Sequence, residues 1–424
     1  MDFRLSPEAT AIRREIRRFV DDELRPVIED VRSGIEGYHE LGPANPALTD
    51  NVKPHPIDIP EETKQALREK SRKAGYWAMG VPEEYGGGGL SLVERCVVLE
   101  ELSKHRMGLY NAGMDVIELV PGLNDPGEPR PIFERATEEQ REEFLYPCIE
   151  GEKSSAFALT EPAAGADPRG METYAEREEE GWVLNGMKHY ISFAGDADFL
   201  IVFARTGTRR GVEDHGITAF LVPVDTPGVT VGDEQQVIRP EQPFEIHFDD
   251  AVVPEKYVLG EVGEGLDVAK ASLTESRIMY AANCLGPMQQ SIEMAIDWAN
   301  DRQVGEKKLA DRQAIQWKIA EASLDYRSAK HAVFHAAWLY DEGGDARHES
   351  SVAKYLATES LWSVVDEMIQ VHGGMGVDAD LPLERWLREA RVRRIGQGPS
   401  EIHLKTIARN LLKGYEEPDP YPLD

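Results

Sequence analysis

Between residues 155 and 258 the chain leaves helical spacing for short runs of β-branched and aromatic residues, with helical patterns on either side. FLIVFA at 199–204, ITAFLVPV at 217–224 and FEIHF at 244–248 are bounded by turn residues, as strands are. The segment WVLNG at 182–186 ends in Asn185-Gly186, a pair that tolerates positive φ and predicts a hairpin turn. The order helical, β, helical points to a multidomain α+β fold. We divide it into an N-terminal helical domain at 1–153, a middle β-barrel or sheet domain at 154–262, and a C-terminal helical domain at 263–424. A length of 424 residues suits two or three domains.

Ser6-Pro7-Glu8 reads as a helix start, with Ser as N-cap and Pro in the first turn. Ile12, Ile16, Phe19 and Val20 then fall on one face, and Arg13, Arg14, Arg17 and Arg18 read as a solvated face. Residues 33–60 are rich in Gly, Pro, Asn and Asp and predict a long loop. Helical patterns return at 61–74, 90–106 and 137–147, the last after a Pro-rich stretch at 121–131. Between the first two, VPEEYGGGGL predicts a turn. Neither it nor HGGMG at 372–376 has the G-x-G-x-x-G spacing or trailing GK[ST] of a nucleotide cradle. The helical pattern ends near residue 413, leaving YEEPDPYPLD as a frayed or partner-docked tail.

A net charge of −30 argues against nucleic acid or an anionic membrane as partner. It is also compatible with a salt-adapted source. No apolar run approaches the roughly 18 residues that cross a bilayer, and MDFRLSPEA lacks a signal-peptide pattern, so a cytoplasmic location is expected. Cys96, Cys148 and Cys284 are isolated and odd in number, which favours buried thiols over a disulfide framework or a metal site.

FALTEPAAGAD, Phe157 to Asp167, opens the β region and resembles the flavin-binding and thioester-binding segment of the acyl-CoA dehydrogenase family. HYIS at 189–192 follows at the family's spacing, and the resemblance extends from the first helix to Lys413. It implies FAD as cofactor, an acyl-CoA substrate, an electron-transfer flavoprotein as acceptor, a C-terminal four-helix bundle, and a homo-oligomer, dimer or tetramer. By resemblance Phe157, Leu159, Thr160, Gly165 and Ala166 lie along the flavin segment, and Leu159 and Thr160 contact the flavin pyrimidine. Tyr190 stands in for a Trp beside the ring, and Ser192 for a Thr donating to flavin N5. DRQVGEKKLADRQAI at 301–315 resembles the segment that reaches FAD's diphosphate and adenine from a neighbouring subunit, with Arg302 and Gln313 in matching places. Gln370, Gly373 and Gly374 resemble a second FAD-binding turn.

The family reaction removes an α-proton from the acyl thioester while the β-hydrogen leaves as hydride. RIGQGPSEIH, Arg394 to His403, resembles the branch whose base is Asp in Asp-Gly-Pro-x-Glu-Val-His, and the base position holds Gln397. A neutral amide cannot accept that proton. Gly398 falls on the substrate side of this segment, and Pro399 and Glu401 on its cofactor side. A second branch carries its base at the position of Ser276, also vacant of a carboxylate, which leaves the neighbouring Glu275 as a substitute or as a surface glutamate. Arg277 matches an arginine near the thioester, and Ala166 and Thr274 replace a Ser and an Asp used toward CoA. Three readings stay open: a dehydrogenase with an unconventional base, a flavoprotein of low activity with a regulatory or assembly role, and an altered redox reaction such as enoyl-CoA reduction.

Overall fold

The computed structural model describes residues 5–34, 60–106, 119, 123–124, 130–207, 214–238 and 243–416. Most of the expected loop at 33–60, most of the Pro-rich stretch at 121–131 and the tail beyond 416 lie outside the described residues. Among the described residues no helix is long and apolar enough to cross a membrane. The chain forms two compact units, Ser71–Leu90 with Ile117–Ser276, and Met1–Lys70 with Ser91–Val116 and Arg277–Asp424.

Among the described residues the first unit is built on a nine-stranded sheet. Its strands are β1 (Leu123–Asn124), β2 (Ser155–Ala158), β3 (Tyr174–Glu178), β4 (Gly181–Ile191), β5 (Phe199–Gly207), β6 (Asp214–Pro223), β7 (Val229–Glu234), β8 (Phe244–Val253) and β9 (Val258–Leu259). Their order is β1-β2-β5-β3-β4-β8-β7, and β6 branches off β5 to pair with β9. β5 is central because FLIVFA is apolar at successive positions, the pattern of a strand covered on both faces. Phe199, Ile201 and Phe203 enter a core with Phe133, Phe144, Leu221 and Val268, and Leu200, Val202 and Ala204 enter another with Trp182, Phe220 and Phe248.

The hairpin turn expected at Asn185-Gly186 is not there. The β3–β4 turn is Glu179-Glu180, since Glu178 pairs with Gly181, and Asn185-Gly186 sits inside β4 at a register shift. A bulge draws on the same residue types as a turn, because it too needs permissive backbone. Gly186 has φ +139°, and a Cβ there would stand 2.7 Å from the Thr173 Cα, so the site requires glycine on both counts.

The second unit is helical. Pro7–Phe19 is capped by the Ser6 hydroxyl as expected, and Leu92–Leu102 carries a Ser91/Glu94 capping box. Leu285–Asp301, Gln313–Asp341 and Arg347–His372 pack together, with Leu383–Arg393 and Ser400–Leu412 against the last. All three cysteines are buried free thiols.

Two of the N-terminal arginines are not merely solvated. Arg13 Nε donates to the Glu101 carboxylate at 2.6 Å, Arg17 Nη2 and Nε donate at 2.9 and 3.1 Å, and Lys104 Nζ, the third cation, donates at 3.0 Å. Burial alone would push the Glu101 carboxyl up, and these cations instead bring it down to about 2. A folded-state value below the unfolded one adds stability above the ordinary carboxylate range and loses it as pH falls toward 2. The shift corresponds to about 3 kcal/mol. Urea unfolding of Glu101→Gln should therefore show a loss near that size at pH 7, and a much smaller difference from the parent below pH 3.

Candidate active site

In the sheet unit, the chain leaves β2 at Leu159, and the Glu161 and Ala164 backbones bond each other at 3.1 Å to close a turn. Lys188 of β4 is fully buried and donates to Glu161 Oε1 at 2.6 Å and to the Leu159 carbonyl at 3.2 Å. The same carboxylate accepts from the Thr173 N–H at 3.1 Å and from the Glu172 N–H. The His189 N–H closes the set on the Thr160 carbonyl at 2.9 Å. Burial would push Glu161 up, but Lys188 and the two amides hold it below the usual carboxylate range, while burial pushes the Lys188 amine down to about 8. Leu159, Thr160 and Glu161 are thus each anchored to a neighbouring element.

One residue farther along β4, Tyr190 holds φ +58° and is 55% exposed. The Tyr190 N–H donates to Gln235 Oε1 at 2.9 Å, and the ring leans on His189 at a centroid distance of 4.1 Å. Left-handed backbone is costly for a non-glycine aromatic residue, and a large exposed ring gains no burial in return. Ser192 is half-buried, Gly165 and Ala166 are exposed, and Phe157 packs on Phe203 at 4.8 Å.

In the helical unit, Arg302 caps Leu285–Asp301 and its guanidinium lies 5.8 Å from the Trp298 ring centre. Trp298 in turn lies 5.5 Å from the ring of His372, the last residue before Gly373. The two segments singled out for FAD therefore meet through Trp298, which sequence reading missed. Gly373 and Gly374 are exposed, and a Cβ on either would meet nothing within 4 Å. Gln370 is exposed beside them. Gln313, also exposed, begins its helix behind the small hairpin Gln303–Val304 with Lys307–Lys308.

Gln397 and Gly398 form a left-handed pair, with φ +57° and +95°. The Gln397 carbonyl accepts from Arg277 Nε at 3.3 Å and His403 Nε2 at 3.2 Å. The Gly398 carbonyl accepts from Lys354 Nζ at 2.7 Å and His403 Nε2 at 3.1 Å. Pro399 caps the helix Ser400–Leu412, and Glu401 is exposed in its first turn.

None of the groups on this turn is poised as a replacement base. Arg277 stays charged. His403 is buried beside Arg277 and Lys354, which pushes it down to about 3, and its Nε2 proton is committed to the two carbonyls. Lys354, fully buried and pushed down by that burial to about 8, donates to Gly398. Thr274, Glu275 and Ser276 are all buried, so Glu275 is not the surface glutamate that was one reading of it. At about 100° per residue it points roughly 160° around the helix from Arg277.

Family models match along the chain: the N-terminal domain of acyl-CoA dehydrogenase at residues 44–152, the middle domain at 156–251, and the C-terminal domain at 263–412. The chain is similar to (R)-benzylsuccinyl-CoA dehydrogenase of Thauera aromatica, 32% identical over 97% of each chain. It is also 32% identical to acryloyl-CoA reductase (NADH) of Anaerotignum propionicum, over 97% of this chain and 96% of the relative. Butyryl-CoA dehydrogenase from Megasphaera elsdenii has a similar solved structure, with TM-score 0.79 and 31% identity over 97% of this chain and all of that one. Three family domains in order, with matches running nearly end to end, place this chain in the acyl-CoA dehydrogenase family.

Proposed function

We propose that the protein is an FAD-dependent oxidoreductase acting on the Cα–Cβ bond of an acyl-CoA thioester to give the 2-enoyl-CoA, with an electron-transfer flavoprotein as acceptor. The observation that carries this reading is the segment Leu159–Glu161, pinned by Lys188 next to an exposed Tyr190 ring in strained backbone. A flat ligand that covers the ring accounts for the exposure and the strain together.

The residues fit such a cofactor. Leu159 and Thr160 would hold the pyrimidine edge, Tyr190 would flank the ring, and the Ser192 hydroxyl would donate to it. Arg302, Gln313 and Gln370 would hold the diphosphate and adenine, and Gly373 and Gly374 allow close approach because no side chain stands over them. Delivered from a neighbouring copy, that second set implies a homo-oligomer. When bound, FAD supplies the hydride-accepting ring, and the protein contributes position and electrostatics. Arg277 would face the thioester, and Gln397 occupies the base position without accepting a proton. The acyl group then needs an α-hydrogen that is more acidic than usual, or a base other than Gln397, with Glu275 the carboxylate next in sequence to Ser276, the second branch's base position. We retain the three-domain division at 153/154 and 262/263 as part of this reading.

An anaerobic titration of the flavin-loaded protein with straight, branched and aromatic acyl-CoAs tests it. Rapid loss of oxidised-flavin absorbance with one thioester is expected and names the substrate class. Bound flavin that no thioester reduces would overturn the reading in favour of a low-activity flavoprotein. The likeness to an acryloyl-CoA reductase supports a second reading, enoyl-CoA reduction, which reoxidation of the reduced protein by an enoyl-CoA would reveal.

A further inference from the structure

The start of helix Arg347–His372 and the end of helix Ser400–Leu412 line an open cavity of about 380 Å³. It falls within the range of about 300–1,000 Å³ typical of small-ligand sites. Its lining includes Arg347, His348, Arg409, Lys413 and Tyr415, with Asp345 as its carboxylate. We propose that this cavity binds a phosphoryl dianion, either free phosphate or the phosphate of a nucleoside monophosphate.

Charge is the first argument. Three cations against one carboxylate leave two positive charges in excess, while the whole chain carries −30. With so many acids available, Arg409 and Lys413 still have no ion-pair partner among the described residues. Asp345 is engaged by Arg347, whose Nε donates to it at 2.7 Å. Arg409 and Lys413 also stand four apart on one helix, a like-charge spacing that repels. Cations at a helix C-terminus complement the helix dipole, which is a sufficient reason for those two alone. Arg347 stands in the first turn of its helix, where the dipole opposes a cation, and is held there by the Asp345 carboxylate. A phosphomonoester of charge about −1.5 to −2 would balance the excess and relieve the repulsion between Arg409 and Lys413.

Donor chemistry is the second argument. His348 is 6% exposed, and its Nδ1 lies 3.3 Å from Asn410 Nδ2. An amide N–H can only donate, so Nδ1 accepts from it. The cavity thus offers guanidinium and ammonium N–H groups, and its carboxylate is already occupied. His348 stacks on Tyr415 at 4.0 Å and 16°, and the Tyr415 hydroxyl is fixed to Glu349 at 2.9 Å. A rigid aromatic pair beside the cations suits a planar base attached to the phosphate.

Calorimetric titration of the full-length protein as purified, at low ionic strength, with inorganic phosphate and separately with AMP, tests this. Saturable binding with a dissociation constant below about 1 mM is expected, weakening with added salt. Arg409→Gln with Lys413→Gln should weaken it at least tenfold without moving the melting temperature, since both side chains are exposed. Arg409→Lys should retain it, which separates loss of charge from loss of fold. Tighter binding of AMP than of phosphate identifies the nucleotide as the ligand, and equal binding identifies the free anion. Absence of saturation, or binding unchanged in the double variant, overturns the proposal.

Discussion

Gln397→Glu should raise turnover on a simple acyl-CoA by about 10²- to 10⁴-fold, the usual contribution of a positioned general base. The exchange replaces an amide with a carboxylate of the same shape, so the left-handed turn need not move. Its carbonyls remain held by Arg277, His403 and Lys354, whatever the side chain carries. Two of those groups are cations, and cations close to a carboxylate favour its charged form. The introduced base should therefore stay active well into weakly acidic solution, and its contribution should fall only as pH drops through a lowered value. Stopped-flow reduction of the flavin against pH measures both effects. A gain in kcat with KM unchanged fits a proton acceptor. If the rate does not rise, the absent carboxylate is not what limits this protein.

Much of this arrangement was legible in the residues, and what was hidden has physical causes. Six successive apolar residues in FLIVFA announce a strand covered on both faces, and FALTEP and RIGQGP mark the two turns on which the proposed site is built. Lys188 was passed over because the motif was read from His189 onward, although a lysine among the inward positions Trp182, Leu184 and Ile191 signals a buried counter-ion. Arg13 and Arg17 looked solvated because Glu101, their partner, lies more than 80 residues away, beyond any local periodicity. Lys354 and His403 are invisible for a related reason. They meet only because a left-handed turn presents the Gly398 carbonyl to both of them. Asn185-Gly186 shows the converse error, where a correct reading of backbone permissiveness was assigned to the wrong device.

Replacing Lys188 with methionine should cost about 3–5 kcal/mol of stability, measured by chemical unfolding at pH 7, because it leaves the Glu161 carboxylate buried without its cation. Two backbone amides would still reach that carboxylate, from Thr173 and Glu172, and they keep the loss from being larger. Adding Glu161→Gln should recover part of it, since the pair was offsetting its own desolvation. In the parent, Glu161 titrates below the usual carboxylate range, so its contribution is complete above that range and fades as pH falls through the lowered value. Without Lys188, burial dominates and pushes Glu161 up instead, so acid unfolding of the variant should begin at a higher pH. The same substitution frees the Leu159 carbonyl, and flavin should dissociate more readily from the variant than from the parent at equal fraction folded. A variant that lost stability but retained flavin undiminished would show that Lys188 supports the sheet without shaping the segment it pins.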